Sequence, residues 1–149
     1  MILDAHGLRV TLPSGWSGRV FARSHDVASL HAGSFPVVLG DGEFGDRSTG
    51  RMPEPGAFLA LAEYRPGRGL VPGRGLFESR RPPRPLDPSA FAASRLAHPR
   101  PGQVGAQHFF TASGRPFCLY VVISGPRAAR RRQLLTLDGL LRSLEIARR

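Results

Sequence analysis

Leu8, Val10 and Leu12 alternate with Arg9 and Thr11, the period-two pattern of a strand with one buried face. Pro13–Trp16 then reads as a turn, Gly18–Arg23 as a second short strand, and Ser29–Phe35 as a third with Leu30, Ala32 and Ser34 on one face. Leu39–Gly56 is a long polar loop with five Gly and two Pro. The compact apolar run Ala57–Arg65 has the length of a strand.

Pro66–Pro88 has no such periodicity. It repeats Pro-Gly-Arg-Gly-Leu at 66–70 and 72–76, and carries six Pro and four Gly in 23 residues. That content excludes a regular helix or a central strand and leaves an extended loop. Loops of more than about 12–15 residues are functional or disordered more often than not. Asp87–Leu96 reads as a short helix, with Asp87 at the N-cap and Pro88 at the first helical position.

Gly102–Gly125 reads as a β-hairpin turning at Ser113-Gly114-Arg115. In its second strand, Phe117, Leu119, Val121 and Ile123 face one way, and Cys118, Tyr120 and Val122 the other. Both sets are apolar, so the strand is central and covered on both sides. Pro126–Leu144 is an amphipathic helix whose stripe is Leu134, Leu137, Leu141 and Leu144, widened by Leu140. Arg130, Arg131, Arg132 and Arg142 lie off the stripe, and a short edge strand follows near the last residues. The sum is an α+β protein: an antiparallel sheet of about five or six strands, packed by the C-terminal helix and the short internal one.

Length and composition narrow the class. The 149 residues suit a single domain, read as 1–149 with the Pro/Gly/Arg-rich loop at 66–88 inside it. One cysteine forbids an internal disulfide, and no zinc-type cluster or other metal or cofactor motif stands out. No apolar run approaches the roughly 20 residues that cross a bilayer. The first residues lack the basic and apolar regions of a signal peptide, which predicts a cytoplasmic protein, or an exported one if the true start lies upstream.

The net charge of +10 is carried by arginine without a single lysine. Residues 1–64 hold five Arg against seven acids, 65–100 eight Arg against two, and 127–149 seven Arg against two. The positive field therefore comes from two segments of a chain whose Arg, Pro and Gly content also records GC-rich coding.

Candidate chemistry is sparse. Cys118 and His108 form the one conceivable nucleophile–base pair, on neighbouring strands of the hairpin. Core packing explains Cys118 better, because apolar surroundings raise a thiol's pKa and make it inert. His6, His25, His31, His98 and His108 show no metal-ligand spacing, and His25-Asp26 is merely an adjacent pair. Asp41, Glu43 and Asp46 lie in a glycine-rich loop but lack the spacing of a calcium loop. The binding candidates are Arg68, Arg74, Arg80, Arg81 and Arg84 in the loop, and Arg130, Arg131 and Arg132 on the helix. Arginine-rich tracts bind RNA, but aromatics for stacking are nearly absent beside these.

Leu12-Pro13-Ser14-Gly15-Trp16, following a strand, and the last fifteen residues together resemble the PsbP-like superfamily of small α/β sandwich proteins. That resemblance implies a non-catalytic assembly factor, lipoprotein or secretion-associated adaptor, with no shared catalytic residues to carry over. The expectation is a non-enzymatic adaptor module for a protein partner in a bacterial assembly or secretion-type complex. A polyanion binder, with nucleic acid or an acidic membrane surface as target, is the alternative. A small enzyme using Cys118 and His108 is third.

Overall fold

The computed structural model describes residues 1–149, the side chain of His25 excepted, so the His25-Asp26 pair lies outside the described residues. Two antiparallel sheets are present. The larger has five strands, β3 (Ser17–Ala22), β4 (Ala28–Gly33), β5 (Gly56–Glu63), β7 (Arg115–Ser124) and β6 (Gln103–Ala112), in that spatial order. The smaller has β1 (Ile2–Ala5), β2 (Leu8–Thr11) and β8 (Glu145–Ile146), ordered β1-β2-β8. Two α-helices are present: α1 (Asp46–Gly50) and α2 (Arg130–Ser143).

Each expected strand is observed, with ends shifted by one or two residues, and β1 is an addition. The final edge strand pairs with β2 through Leu8 and Arg9, which makes a second sheet from the two ends of the described chain. Both tight hairpins turn on two residues with positive φ, His6-Gly7 between β1 and β2 and Ser113-Gly114 between β6 and β7. That backbone matches the twist of the flanking strands. At Gly7 a side chain is disfavoured twice over, since a Cβ would also run into the Arg115 guanidinium.

All ten residues of β7 are buried, as expected of a central strand covered on both faces. On one face Phe117, Leu119, Val121 and Ile123 join Leu8, Val10 and Leu12 of the small sheet and Leu134, Leu137, Leu140, Leu141 and Leu144 of α2 in one continuous core. On the other face Tyr120 and Val122 pack with Phe35, Met52, Phe58 and Leu96. Phe35, Met52 and Leu96 come from the long connections and Phe58 from β5 itself, so the second cover is made of loops.

Those loops differ from expectation in two places. Residues 87–96 form two 3-10 turns, Pro88–Ala90 and Ala93–Arg95, instead of an α-helix. Asp87 does cap the first, accepting from the Ser89 N–H at 2.9 Å. Ala92, however, is extended and exchanges backbone hydrogen bonds with Gly105 at the edge of β6, which interrupts the helix. The short α-helix lies instead in the glycine-rich loop, at α1. There Asp41 accepts from the N–H groups of Arg47 (3.0 Å) and Ser48 (2.7 Å), doing for the first turn what an N-cap does.

The Pro66–Pro88 segment is tied down at several points. Thr111 Oγ1 accepts from Gly73 N–H and donates to the Phe77 carbonyl, both at 2.8 Å. Phe77 is buried, edge-on to Tyr64 and Phe109. The Leu86 N–H donates to Asp138 of α2 at 2.8 Å.

Candidate functional site

Helix α2 is seated by its leucine stripe, and the outward flank of its first half stands free. Ala129 precedes it without a side-chain cap, no acid lies in the first turn, and Arg130, Arg131 and Arg132 occupy that turn. Arg127 lies in the 3-10 turn just before it. The helix macrodipole puts partial positive charge at this end, where carboxylates stabilise and guanidinium groups do not. Like charges three and four residues apart add to the cost. None of the four arginines has a carboxylate within ion-pair reach among the described residues. A cluster that breaks local rules without compensation is where function is to be sought.

Beside these arginines runs a groove of about 630 Å³ between α2 and the Leu86–Phe91 segment. Its floor is Leu86, Phe91, Ile123 and Leu134, and its rim carries Arg127, Arg130 and Arg131. Asp138, which also borders it, is committed to the Leu86 N–H and fixes the far wall to the helix. A second groove of about 610 Å³ lies on the other flank of α2, between Pro55, Pro126, Ala129, Arg131, Arg132 and Gln133. Leu135 borders both and is 60% exposed, a ridge between two troughs.

The predicted arginines do not converge on one site. Arg130 and Arg131 rim the first groove and Arg132 the second. Arg80, Arg81 and Arg84 line a shallow polar hollow with Ser79, Pro82 and Pro83. Arg68 and Arg74 are exposed at the other end of the large sheet, where Gly73 meets Thr111 opposite Pro116. The helix start is anchored at Ser124, whose carbonyl accepts from Gln133. Eight steps along the strand lead from Pro116 to Ser124, roughly 26 Å at 3.3 Å per residue. Sequence reasoning found the helix arginines but missed the apolar groove beside them, with Arg127 and Leu135. Exposed Leu135 within a leucine-rich helix was the available signal, because it lies off the core stripe.

Cys118 and His108 do not meet. Cys118 pairs with Phe109, and His108 pairs with Leu119, so the two project from opposite faces of the sheet. Cys118 is fully buried. Burial, with a smaller contribution from Glu43, pushes its thiol up to about 12. His108 is half-buried, and burial lowers its pKa. His31 is also buried, with Nε2 donating to the Glu43 carbonyl at 3.1 Å, and burial lowers its pKa too.

The acids of the glycine-rich loop serve separate partners. Asp41 holds α1, Glu43 pairs with Arg23 at 3.0 Å, and Asp46 pairs with Arg100 at 2.8 Å. Among the described residues no three His, Cys, Asp or Glu side chains come together as a metal site would require. No helix among them is long and apolar enough to cross a membrane.

Glu63 and Arg115 form the most buried ion pair among the described residues, with side chains 3% and 4% exposed. Arg115 donates to both Glu63 oxygens, to the His6 carbonyl at 2.9 Å and to the Ala147 carbonyl at 3.0 Å. Glu63 also accepts from Ala28 N–H at 2.9 Å and from Arg149. Burial alone would raise the Glu63 carboxyl, but the hydrogen bonds from Arg115, Arg149 and Ala28 outweigh it and hold the group at about 2. This network ties the large sheet to both strands that flank β2 in the small one. It is structural in character, since its donors and acceptors are spent on one another.

No protein-family model matches the chain, and neither the curated proteins nor the solved structures contain a significant match.

Proposed function

We propose that this chain is a non-enzymatic binding module that docks a protein partner on the free half of α2. The observation that carries this reading is the apolar groove with an arginine rim, continued across the Leu135 ridge into a second trough. An apolar floor supplies affinity through burial, and fixed guanidinium groups select carboxylates by bidentate geometry. The stretch from Arg127 to Asp138 that borders the groove spans roughly 17 Å at 1.5 Å per residue, more in keeping with a macromolecule than with a small ligand. An adaptor of an assembly or secretion-type complex, the role implied by the PsbP-like resemblance, fits this reading.

Nucleic acid is the second reading, supported by the exposed Arg80, Arg81 and Arg84. It lacks a stacking platform there, because Phe77 is buried beneath Tyr64 and Phe109.

Affinity capture with the whole chain, with and without nuclease, tests the choice when combined with cross-link mapping. Protein docking predicts a nuclease-resistant partner that cross-links around α2 and is lost on Leu135→Glu. Replacing Arg130, Arg131 and Arg132 together by Lys weakens such a complex, because lysine keeps charge but loses the fork. Binding to random oligonucleotides with a log–log salt slope of about −0.7 to −0.9 per phosphate, unchanged by the lysine swap, overturns the reading.

A further inference from the structure

We infer that the occupant of the arginine-rimmed groove is an amphipathic helix with an apolar stripe flanked by carboxylates. This rests on the protein-docking reading and specifies the partner's form. The backbone hydrogen bonds already made by the groove walls decide that form. Buried N–H and C=O groups must be paired, so an extended segment laid in an apolar groove needs a ladder from the wall. Neither wall offers one.

On one side, α2 spends its interior backbone groups within the helix. On the other, the Leu86 N–H goes to Asp138, the Ser89 N–H to Asp87, the Ala90 N–H to the Asp87 carbonyl and the Phe91 N–H to the Pro88 carbonyl. Pro88 has no N–H to give. At the floor, Ile123 belongs to β7, which is paired on both edges by β5 and β6. A strand entering here would find no row of N–H donors for its own carbonyls. A helix closes its backbone bonds internally and presents only side chains.

Charge decides what flanks the stripe. Arg127, Arg130 and Arg131 rim the groove without carboxylate partners; Asp138, the acid that lines it, is committed to the Leu86 N–H, and Asp87 in the facing wall to Ser89. A second copy of this chain would set rim arginine against rim arginine, which like-charge repulsion opposes. Carboxylates on either side of the partner's apolar stripe meet these guanidinium groups as bidentate pairs.

The test uses the full chain and a fluorescein-labelled probe peptide. The probe has about 15 residues, a length at which an isolated helix is marginal. It carries Leu at i, i+3, i+4 and i+7 spacing with Glu alongside. Two controls have near-identical composition, one with the stripe scrambled and one with a central proline. Fluorescence polarisation should show the probe binding at least roughly tenfold more tightly than either control, a difference of one decade in Kd. Circular dichroism should show the probe gaining helix on binding. Leu135→Glu and Arg131→Gln should each weaken binding while leaving the thermal midpoint of the protein near its original value.

Equal binding of the proline or scrambled peptide, binding without helix gain, or no binding of the probe overturns the inference. So do tighter binding of dodecanoate or anionic vesicles at this face, and self-association on sedimentation that Leu135→Glu abolishes. Failure of the helix inference alone leaves a nuclease-resistant, Leu135-dependent partner in the capture experiment. Failure of the docking reading removes that partner as well.

Discussion

Two groups of arginines in this molecule meet opposite fates. Arg115 is buried and gives its guanidinium hydrogen bonds to Glu63, His6 and Ala147. Arg127, Arg130, Arg131 and Arg132 crowd an uncapped helix start with no carboxylate in ion-pair reach among the described residues. The first arrangement is one a folding chain requires, because a buried charge without partners is ruinous. The second is one that folding disfavours, because the helix dipole and the neighbouring cations both oppose it. The same side chain therefore serves cohesion at one end of the large sheet and, in the docking proposed above, would serve recognition at the other. Its partners, and not its identity, decide which.

Breaking the buried group should have the largest effect. Arg115→Ala leaves the buried Glu63 carboxylate with only the Ala28 N–H and the half-exposed Arg149 as partners, and should cost about 3–5 kcal/mol by chemical denaturation. Arg131→Ala, in the same assay, should change stability by no more than about 0.5 kcal/mol.

Leucines sharpen the contrast on α2 itself. Leu137 is fully buried and Leu135 is 60% exposed, two positions away. Leu137→Ala should cost about 2–5 kcal/mol through lost burial and a residual cavity. Leu135→Ala should leave stability within about 0.5 kcal/mol while weakening partner binding. Comparable stability losses in the two variants would mean that the helix is seated differently.

Acid titration addresses the buried pair from the other side. The Glu63 carboxyl is held at about 2, below its ordinary 4.5. A group whose folded value is depressed binds fewer protons in the folded state, so its contribution is present above the ordinary value and lost as pH falls. Wild-type stability should therefore decline between about pH 4.5 and pH 2, by up to roughly 3 kcal/mol at 1.36 kcal/mol per pH unit. Glu63→Gln should flatten that part of the profile and be less stable at neutral pH. His31 and His108, whose values burial lowers, add a loss of the same sign as pH falls below the ordinary imidazole range.

The smallest effect is a gain. Arg131→Glu places a carboxylate at the positive end of α2 and should stabilise the fold by about 0.3–1 kcal/mol, read as a higher thermal midpoint at low salt. The same change should abolish docking of an acidic partner. A variant that is more stable and inactive would show the helix start giving up stability for binding.

Much of the architecture could be read from local patterns, because each rested on a local cause. Period-two alternation located β2, and a doubly apolar run located β7 as the covered central strand. The leucine stripe of α2 named the residues that are buried. Ser113-Gly114 set the turn, although it has two residues and Arg115 already pairs with Ala112 as the first residue of β7.

Pairings between distant residues were decided only in three dimensions. Propensity favoured a helix from Asp87, but Ala92 gains two hydrogen bonds by lying against Gly105, and the helix gives way. The glycine-rich loop has no helical period, yet Asp41 supplies the cap that lets α1 form. The proline-rich segment is held by Thr111 and Asp138, which lie 38 and 52 residues from the groups they bind. Composition established that the chain is arginine-rich, and the helix pattern placed Arg130, Arg131 and Arg132 off the core stripe. Their setting beside an apolar groove required Leu86 and Phe91 to fold back against α2, a long-range contact that no local pattern encodes.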